Sequence, residues 1–221
     1  MRLCFDPVMC PKAVLPAALN IAKAAGFDAM VLHCAFTASS PFHPDASVRM
    51  IRDYFDDANV ALMGLHVRDD PGSNLRQVEW DVHLARALRL RCASFLCGAR
   101  SREAREALVS GVHALLESIP DVTLNIGNGV NTCLEHAADF DALMPDLPER
   151  AHVWLNAMDV DNAVGIVDKY VERMGMVTIG EYDVDVVYAL KANGYDGPVV
   201  LNAVNGSAAD LRVRVEEVLN T

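Results

Sequence analysis

Eight times along its 221 residues this chain sets a short apolar run ahead of a helical stretch, and that alternation constrains the fold more than any other feature. The runs fall at residues 2–6, 29–34, 60–66, 93–97, 122–126, 152–156, 176–180 and 198–202. Their cores, such as Met30-Val31-Leu32, Thr123-Leu124-Asn125-Ile126 and Val199-Val200-Leu201, lack strict polar alternation. Near-continuous apolar strands suit a parallel sheet covered on its faces. Between them lie amphipathic helical stretches at 12–25, 46–58, 73–90, 102–118, 132–144, 159–174, 183–193 and 207–219. Leu15, Leu19 and Ala22 share a stripe, as do Val48, Ile51 and Phe55, and Leu75, Val78, Val82 and Ala85. Eight strand–helix units predict a single (β/α)8 TIM barrel, one domain over 1–221. At about 28 residues per unit, little chain is left for long loops or an inserted domain. An open doubly wound sheet is the rival; it would more often carry a Gly-rich phosphate turn after its first strand, and Asp6-Pro7-Val8-Met9-Cys10-Pro11 is not one.

The final unit is the most explicit. Gly194 suits the left-handed position just past a helix, Asp196-Gly197 is a turn pair, and Pro198 can open a strand because its missing N–H costs little there. The strand ends on one polar side chain, Asn202, at the barrel end where active sites are built. Other helix signals are Pro44-Asp45 ahead of the second helix and Ser101 with Glu103 and Glu106 opening the fourth. Asp159 and Asp161 are candidate caps for the sixth.

A net charge of −11 argues against a nucleic-acid face, since phosphates call for clustered Lys and Arg. Arg86, Arg89 and Arg91 form the densest basic group and sit where they complement a helix C-terminus. No apolar run reaches the ~18 residues that span a bilayer, and Met1-Arg2 leads directly into a strand, so no signal peptide, no membrane association and a cytoplasmic location are expected. The six cysteines are scattered, without a two-residue pair for zinc or redox chemistry, and read as free thiols.

Two segments carry a family resemblance. Ala17-Ala18-Leu19 through Ala24-Ala25-Gly26-Phe27-Asp28, followed by a strand, resembles the opening of the xylose-isomerase-like barrels, which include sugar phosphate isomerases/epimerases and endonuclease IV-type repair enzymes. Ala189-Leu190-Lys191-Ala192-Asn193-Gly194-Tyr195-Asp196-Gly197-Pro198 resembles their closing segment more closely. Residues 60–66 and 84–90 fit the third strand and the helix after it. The resemblance implies a divalent metal at the barrel mouth, held by carboxylates and histidines so that the cation polarises an oxygen while a carboxylate moves a proton. Position by position the chain departs from that set. The strand 5 acid falls on Gly127 with Asn128 beside it, the strand 6 Asp on Asn156, and the following His on Asp159. The strand 7 His falls on Gly180-Glu181, and the last Glu on Asn202. The strand 2 acid falls on Val31, with His33 two further on; only His66 matches a family histidine. Neutral amides make a poor Mg²⁺ or Mn²⁺ site, so no metal ligands and no cofactor are expected.

The candidate site follows from these positions. His66 and Glu181 are the proton-transfer candidates. His33, Arg68, Asn128, Asn156, Asp159 and Asn202 are candidates for holding substrate, with Arg68 an anion anchor and the amides fixing hydroxyls. The function expected from the resemblance is a sugar or sugar-phosphate isomerase/epimerase-like activity with a degenerate metal site. The alternative is a non-catalytic barrel that binds a small polar ligand or a partner subunit. The repair-nuclease reading lacks both ligands and basic groove. The expected partner is a small polar ligand such as a sugar or sugar phosphate, and a homo-oligomer stays open.

Overall fold

The apolar strands are covered on both faces. The structure, a computed structural model, describes residues 1–34, 47–203 and 206–221. Its strands are β1 (Arg2–Phe5), β2 (Ala29–His33), β3 (Ala61–His66), β4 (Cys92–Leu96), β5 (Thr123–Gly127), β6 (Ala151–Asn156), β7 (Met174–Ile179) and β8 (Pro198–Leu201). The helices between and after them are α1 (Leu15–Ala24), α2 (Val48–Ala58), α3 (Pro71–Ala87), α4 (Arg102–Ser118), α5 (Ala137–Leu143), α6 (Ala163–Tyr170), α7 (Val184–Ala192) and α8 (Ala208–Asn220). All strands pair in parallel in chain order, and β8 closes on β1 with Arg2 opposite Pro198 through Phe5 opposite Leu201. That closure makes the molecule a (β/α)8 barrel and excludes the open sheet.

Alternation along each strand divides the core in two. Phe5, Met30, Leu32, Leu65, Phe95, Leu124, Ile126, Val153, Leu155, Val177 and Leu201 point outward and pack under the helices. Cys4, Ala29, Val31, Met176 and Val200 point inward and fill the lower barrel. The pairing register shifts at Met30/Val31 between β2 and β3 and at Val153/Trp154 between β6 and β7.

The helices follow the expected stripes with instructive exceptions. Leu15, Leu19 and Ala22 are buried on α1, and Ile51 and Phe55 on α2, whose first turn is capped by Ser47 accepting from Met50 N–H. The Pro44-Asp45 signal lies outside the described residues. On α3, Val78, Val82 and Ala85 are buried but Leu75 is exposed, because Asn74 leaves helical geometry (φ −151°, ψ 69°) and turns the first turn away from the rest. Arg86 pairs with Asp121, while Arg89 takes the left-handed position (φ 66°) that a glycine would usually fill after a helix. Ser101 caps α4 as expected, accepting from Ala104 N–H.

The fifth and sixth helices start late. Asn131 at φ 60° and the Thr132 hydroxyl, which binds the N–H and the carbonyl of Gly129, hold residues 128–136 in a loop. The α6 cap is Asn162, accepting from Gly165 N–H, and not Asp159 or Asp161. Asp161 instead accepts from Ala137 N–H at the start of α5, since its side chain faces the neighbouring unit.

Candidate site at the barrel mouth

The inward-facing residues nearest the C-terminal ends of the strands are Asp6, His33, His66, Leu96, Gly127, Asn156, Gly180 and Asn202, one from each strand or the residue just beyond it. In a barrel of this type they surround the mouth. Chemistry is distributed unevenly among them. The β1–β3 side carries ionisable groups, the β4–β5 side carries a leucine and a glycine, and the β6 and β8 ends carry amides.

Asp6 anchors the ionisable side. Its carboxylate accepts from Val8 N–H at 3.0 Å, capping a 3-10 turn over Pro7–Met9, and the same oxygen lies 2.9 Å from His33 Nε2. Burial works against its charge. The His33 hydrogen bond and charge, His66 and the Val8 N–H together outweigh that and hold the carboxyl below its ordinary range. His33 stands more open than its partner, its side chain 28% exposed against 7% for Asp6. A buried carboxylate that fixes a partly exposed imidazole is an arrangement for orienting a general base.

From His33 a row of rings crosses the mouth. His33 and His66 lie 4.5 Å apart between centroids, and His66 and Trp154 4.2 Å, tilted by 37° and 34°. Trp154 ends the row by donating Nε1–H to Thr178 Oγ1 at 2.9 Å. His66 is buried between its neighbours. Desolvation, helped by His33 and opposed by Asp6, lowers its ring to about 3, so it is neutral at neutral pH. Among the described residues no partner reaches its buried Nδ1.

The other candidates are placed variously. Asn128 uses its amide on the backbone of Asn156, donating to the carbonyl at 2.9 Å and accepting from the N–H at 2.7 Å, so it extends the β5–β6 pairing as a side chain. Asn156 donates to Asp159, whose carboxyl is raised by burial and by the nearby charge of Asp183. The buried Asn156 Oδ1 has no partner among the described residues. Arg68 grips the buried Asp81 of α3 with Nε at 3.2 Å and Nη2 at 2.7 Å, and Gln77 donates to the same carboxylate. That fork fastens the β3–α3 loop. Glu181 lies on the β7–α7 loop with its carboxylate beside Gly206, and its backbone carbonyl accepts from Arg214 of α8. Asn202 continues the β8 ladder, its N–H bound to the carbonyl of Ile179 at 2.9 Å.

The structure therefore brings His33 and His66 together and Asn128, Asn156 and Asp159 together. It adds two residues that the sequence did not single out, Asp6 and Trp154. Asp6 obeys the same rule that points to His33 and His66, a polar residue at the end of an apolar strand; the Asp6-Pro7 turn obscured it. Trp154 reads as packing from sequence, and nothing local says that its ring lies across a neighbouring strand.

The divalent metal implied by the resemblance does not fit these donors. Gly127 offers no side chain, and the indole of Trp154 occupies the space one would need, since a Cβ at Gly127 would collide with Trp154 Cε3. Asn128 is engaged on backbone, and Asn156 and Asn202 offer only neutral oxygens to a hard cation. Among the described residues no group of three or more His, Cys, Asp or Glu is gathered to hold a metal ion.

No protein-family model matches this chain, and no curated protein does. Solved structures do. The probable 3-DHS dehydratase AsbF of Bacillus anthracis aligns with a TM-score of 0.75 at 12% identity, covering 100% of this chain and 99% of that one. A xylose isomerase domain containing protein of Salmonella typhimurium aligns at 0.71 and 13%, covering 99% and 96%. Endonuclease IV of Thermus thermophilus aligns at 0.68 and 16%, covering 98% and 100%. At such identities the likeness speaks for architecture, and its span is the whole barrel. The chain has the (β/α)8 fold of the xylose-isomerase-like and endonuclease IV structures, with a mouth whose donors differ from a metal centre.

Proposed function

We propose that the protein is a metal-independent proton-transfer enzyme of the isomerase or epimerase type, acting on a small polyhydroxylated carbonyl compound such as a sugar or sugar phosphate. The observation that carries this reading is the Asp6–His33 pair at the mouth, a buried carboxylate 2.9 Å from a more exposed imidazole. His33, oriented by Asp6, would take the proton from a carbon next to the substrate carbonyl, and Asp6 would stabilise the imidazolium that forms. Neutral His66 would keep the imidazole plane in place by stacking. Asn156 and Asn202 would hold substrate oxygens, and Glu181, on the β7–α7 loop, is the candidate for a second proton transfer. The names of the structural neighbours span a dehydratase, an isomerase-domain protein and a nuclease, so the fold does not select the reaction and the site must.

Exchange of carbon-bound hydrogen with solvent tests this reading. Sugars, sugar phosphates and hydroxy-carbonyl compounds incubated with the protein in D2O should gain deuterium at the carbon next to the carbonyl. His33→Gln and Asp6→Asn should each slow that exchange by roughly 10²- to 10⁴-fold. Exchange that is unchanged in His33→Gln overturns the assignment. A second reading, a ligand-binding barrel without turnover, is favoured by the locked amides of Asn128 and Asn156. It predicts that such a compound raises Tm without deuterium uptake.

A further inference from the structure

The β4–β5 side of the mouth has no use in the reaction just described. Leu96 belongs to the inward-facing set of β4, two residues beyond the buried Ser94, yet it is 48% exposed. Ser94 and Asn125 fill the barrel below it with a hydrogen bond of 3.2 Å, so Leu96 cannot sink inward, and its half-exposed side chain stands over polar atoms beside Gly129. Next to it Gly127 contributes no side chain, and the indole of Trp154 lies against that glycine. Beyond them, Val130 is 62% exposed and Tyr182 91% exposed on the β5 and β7 loops, and Met158 packs its sulfur against Gly180. The β4–β5 side of the mouth is therefore apolar, set between the ionisable β1–β3 side and the amides that end β6 and β8.

We infer that the ligand of this site is amphipathic, with its oxygen-bearing end at Asp6 and His33 and an apolar part of about ring size against Leu96 and Trp154. This deepens the proposed function and rests on it for the placement of the polar end. A compound with hydroxyls all round would have to strip water from them against Leu96 and gain no partner, whereas an apolar ring gains by covering that surface. The indole of Trp154 is 8% exposed, stacked on His66 with Cε3 against Gly127, so it offers a ligand ring only its rim, beside Leu96. The apolar part would act in recognition only and take no share in bond making.

Binding can be read without turnover. Trp80, 71% exposed on α3, is the second of two tryptophans, so Trp80→Phe leaves Trp154 as the single indole reporter at the mouth. Matched pairs that exchange a methyl for a phenyl group, methyl against phenyl glucoside and lactate against mandelate, are titrated against its emission. At least one phenyl member should bind about ten-fold more tightly than its methyl counterpart. Leu96→Asn should reduce that preference to less than about two-fold, while Leu96→Met retains it. The inference is overturned if no phenyl member binds at millimolar concentration, if neither pair shows a preference, or if the preference survives Leu96→Asn. His33→Gln separates this from the catalytic reading, for it should abolish deuterium exchange and leave the phenyl preference in place. Phenyl preference without any exchange would refute the enzyme and keep the amphipathic site; exchange without phenyl preference would do the reverse.

Discussion

His66 is neutral because desolvation outweighs what an imidazolium would gain from Asp6, and this has a consequence for stability. Its folded value of about 3 lies below the ordinary 6.5, with desolvation the main cause and His33 and Asp6 the charged neighbours facing it. The unfolded chain therefore takes up the proton first as the solution is acidified. The stability contributed by a neutral His66 is complete above pH 6.5 and falls by about 1.4 kcal/mol per pH unit below it, down to the folded value. Asp6 behaves with the same sign in a lower window, since its carboxyl is held below the ordinary range and loses its contribution only as pH falls through that value. Replacing His66 by Phe keeps a ring in the stack and removes the titration. Urea denaturation at about pH 7.5 and about pH 5.0 should show the wild type losing about 2 kcal/mol more than His66→Phe. His152, also lowered by burial and by Arg173, titrates in both proteins and cancels in the comparison. Equal losses would mean that His66 is not sealed from water. At this scale the sequence made His33 and His66 visible because each ends an apolar run. It could not make the Trp154–His66 contact visible, because that depends on the ring lying across the barrel between β6 and β3.

Between elements, α3 and α4 pack closely where two glycines remove the side chains that would keep the backbones apart. A Cβ at Gly111 would lie 2.5 Å from the carbonyl oxygen of Pro71, and one at Gly72 would lie 2.5 Å from Leu108 N. Both obstacles are backbone, so no rotamer change relieves them. Ala would raise the helix propensity of α4 by about 1 kcal/mol, but overpacking against fixed atoms costs about 1–3 kcal/mol, and the second effect is the larger because the helix ends cannot separate without uncovering core. Gly111→Ala should therefore destabilise the barrel by up to about 2 kcal/mol in urea, with an unchanged m-value. A gain in stability would show that α3 can shift freely. The apolar stripes of α1, α2 and α4 were readable because their periodicity is undisturbed. Leu75 left its stripe and α5 and α6 began late for reasons that periodicity does not record: a break at Asn74, left-handed backbone at Asn131 and Asn162, and hydroxyl and amide bonds that fasten loops.

Across the whole molecule, the barrel separates what holds it together from what it presents to a ligand. The mouth is formed by chemistry at the C-terminal strand ends. At the opposite end, two arginines close the backbone openings between units. Arg150 Nη1 donates to the carbonyls of Ile119, Pro120 and Val122, and its Nη2 to that of Leu116, which are the free acceptors at the end of α4 and the start of β5. Arg173 does the same for Met144, Pro148 and Ala151. Eight repeated units made the architecture legible, whereas this capping was not, because an arginine ahead of a strand looks like any surface charge until the neighbouring carbonyls are known. A cation replaced by an apolar group of similar length would leave several of those oxygens poorly served, and hydrogen bonds to charged donors contribute about 1.5–3 kcal/mol each at most when acceptors stay buried. Part of the loss is recovered by water at this end of the barrel, so Arg150→Met should cost about 2–4 kcal/mol in total. Its effect on the mouth should be nil: titrated through Trp154 in the Trp80→Phe background, ligand affinity in Arg150→Met should match that of the parent within about two-fold, even as Tm falls. A matched loss of affinity would mean that the two ends are coupled and that the mouth depends on strain transmitted along β6.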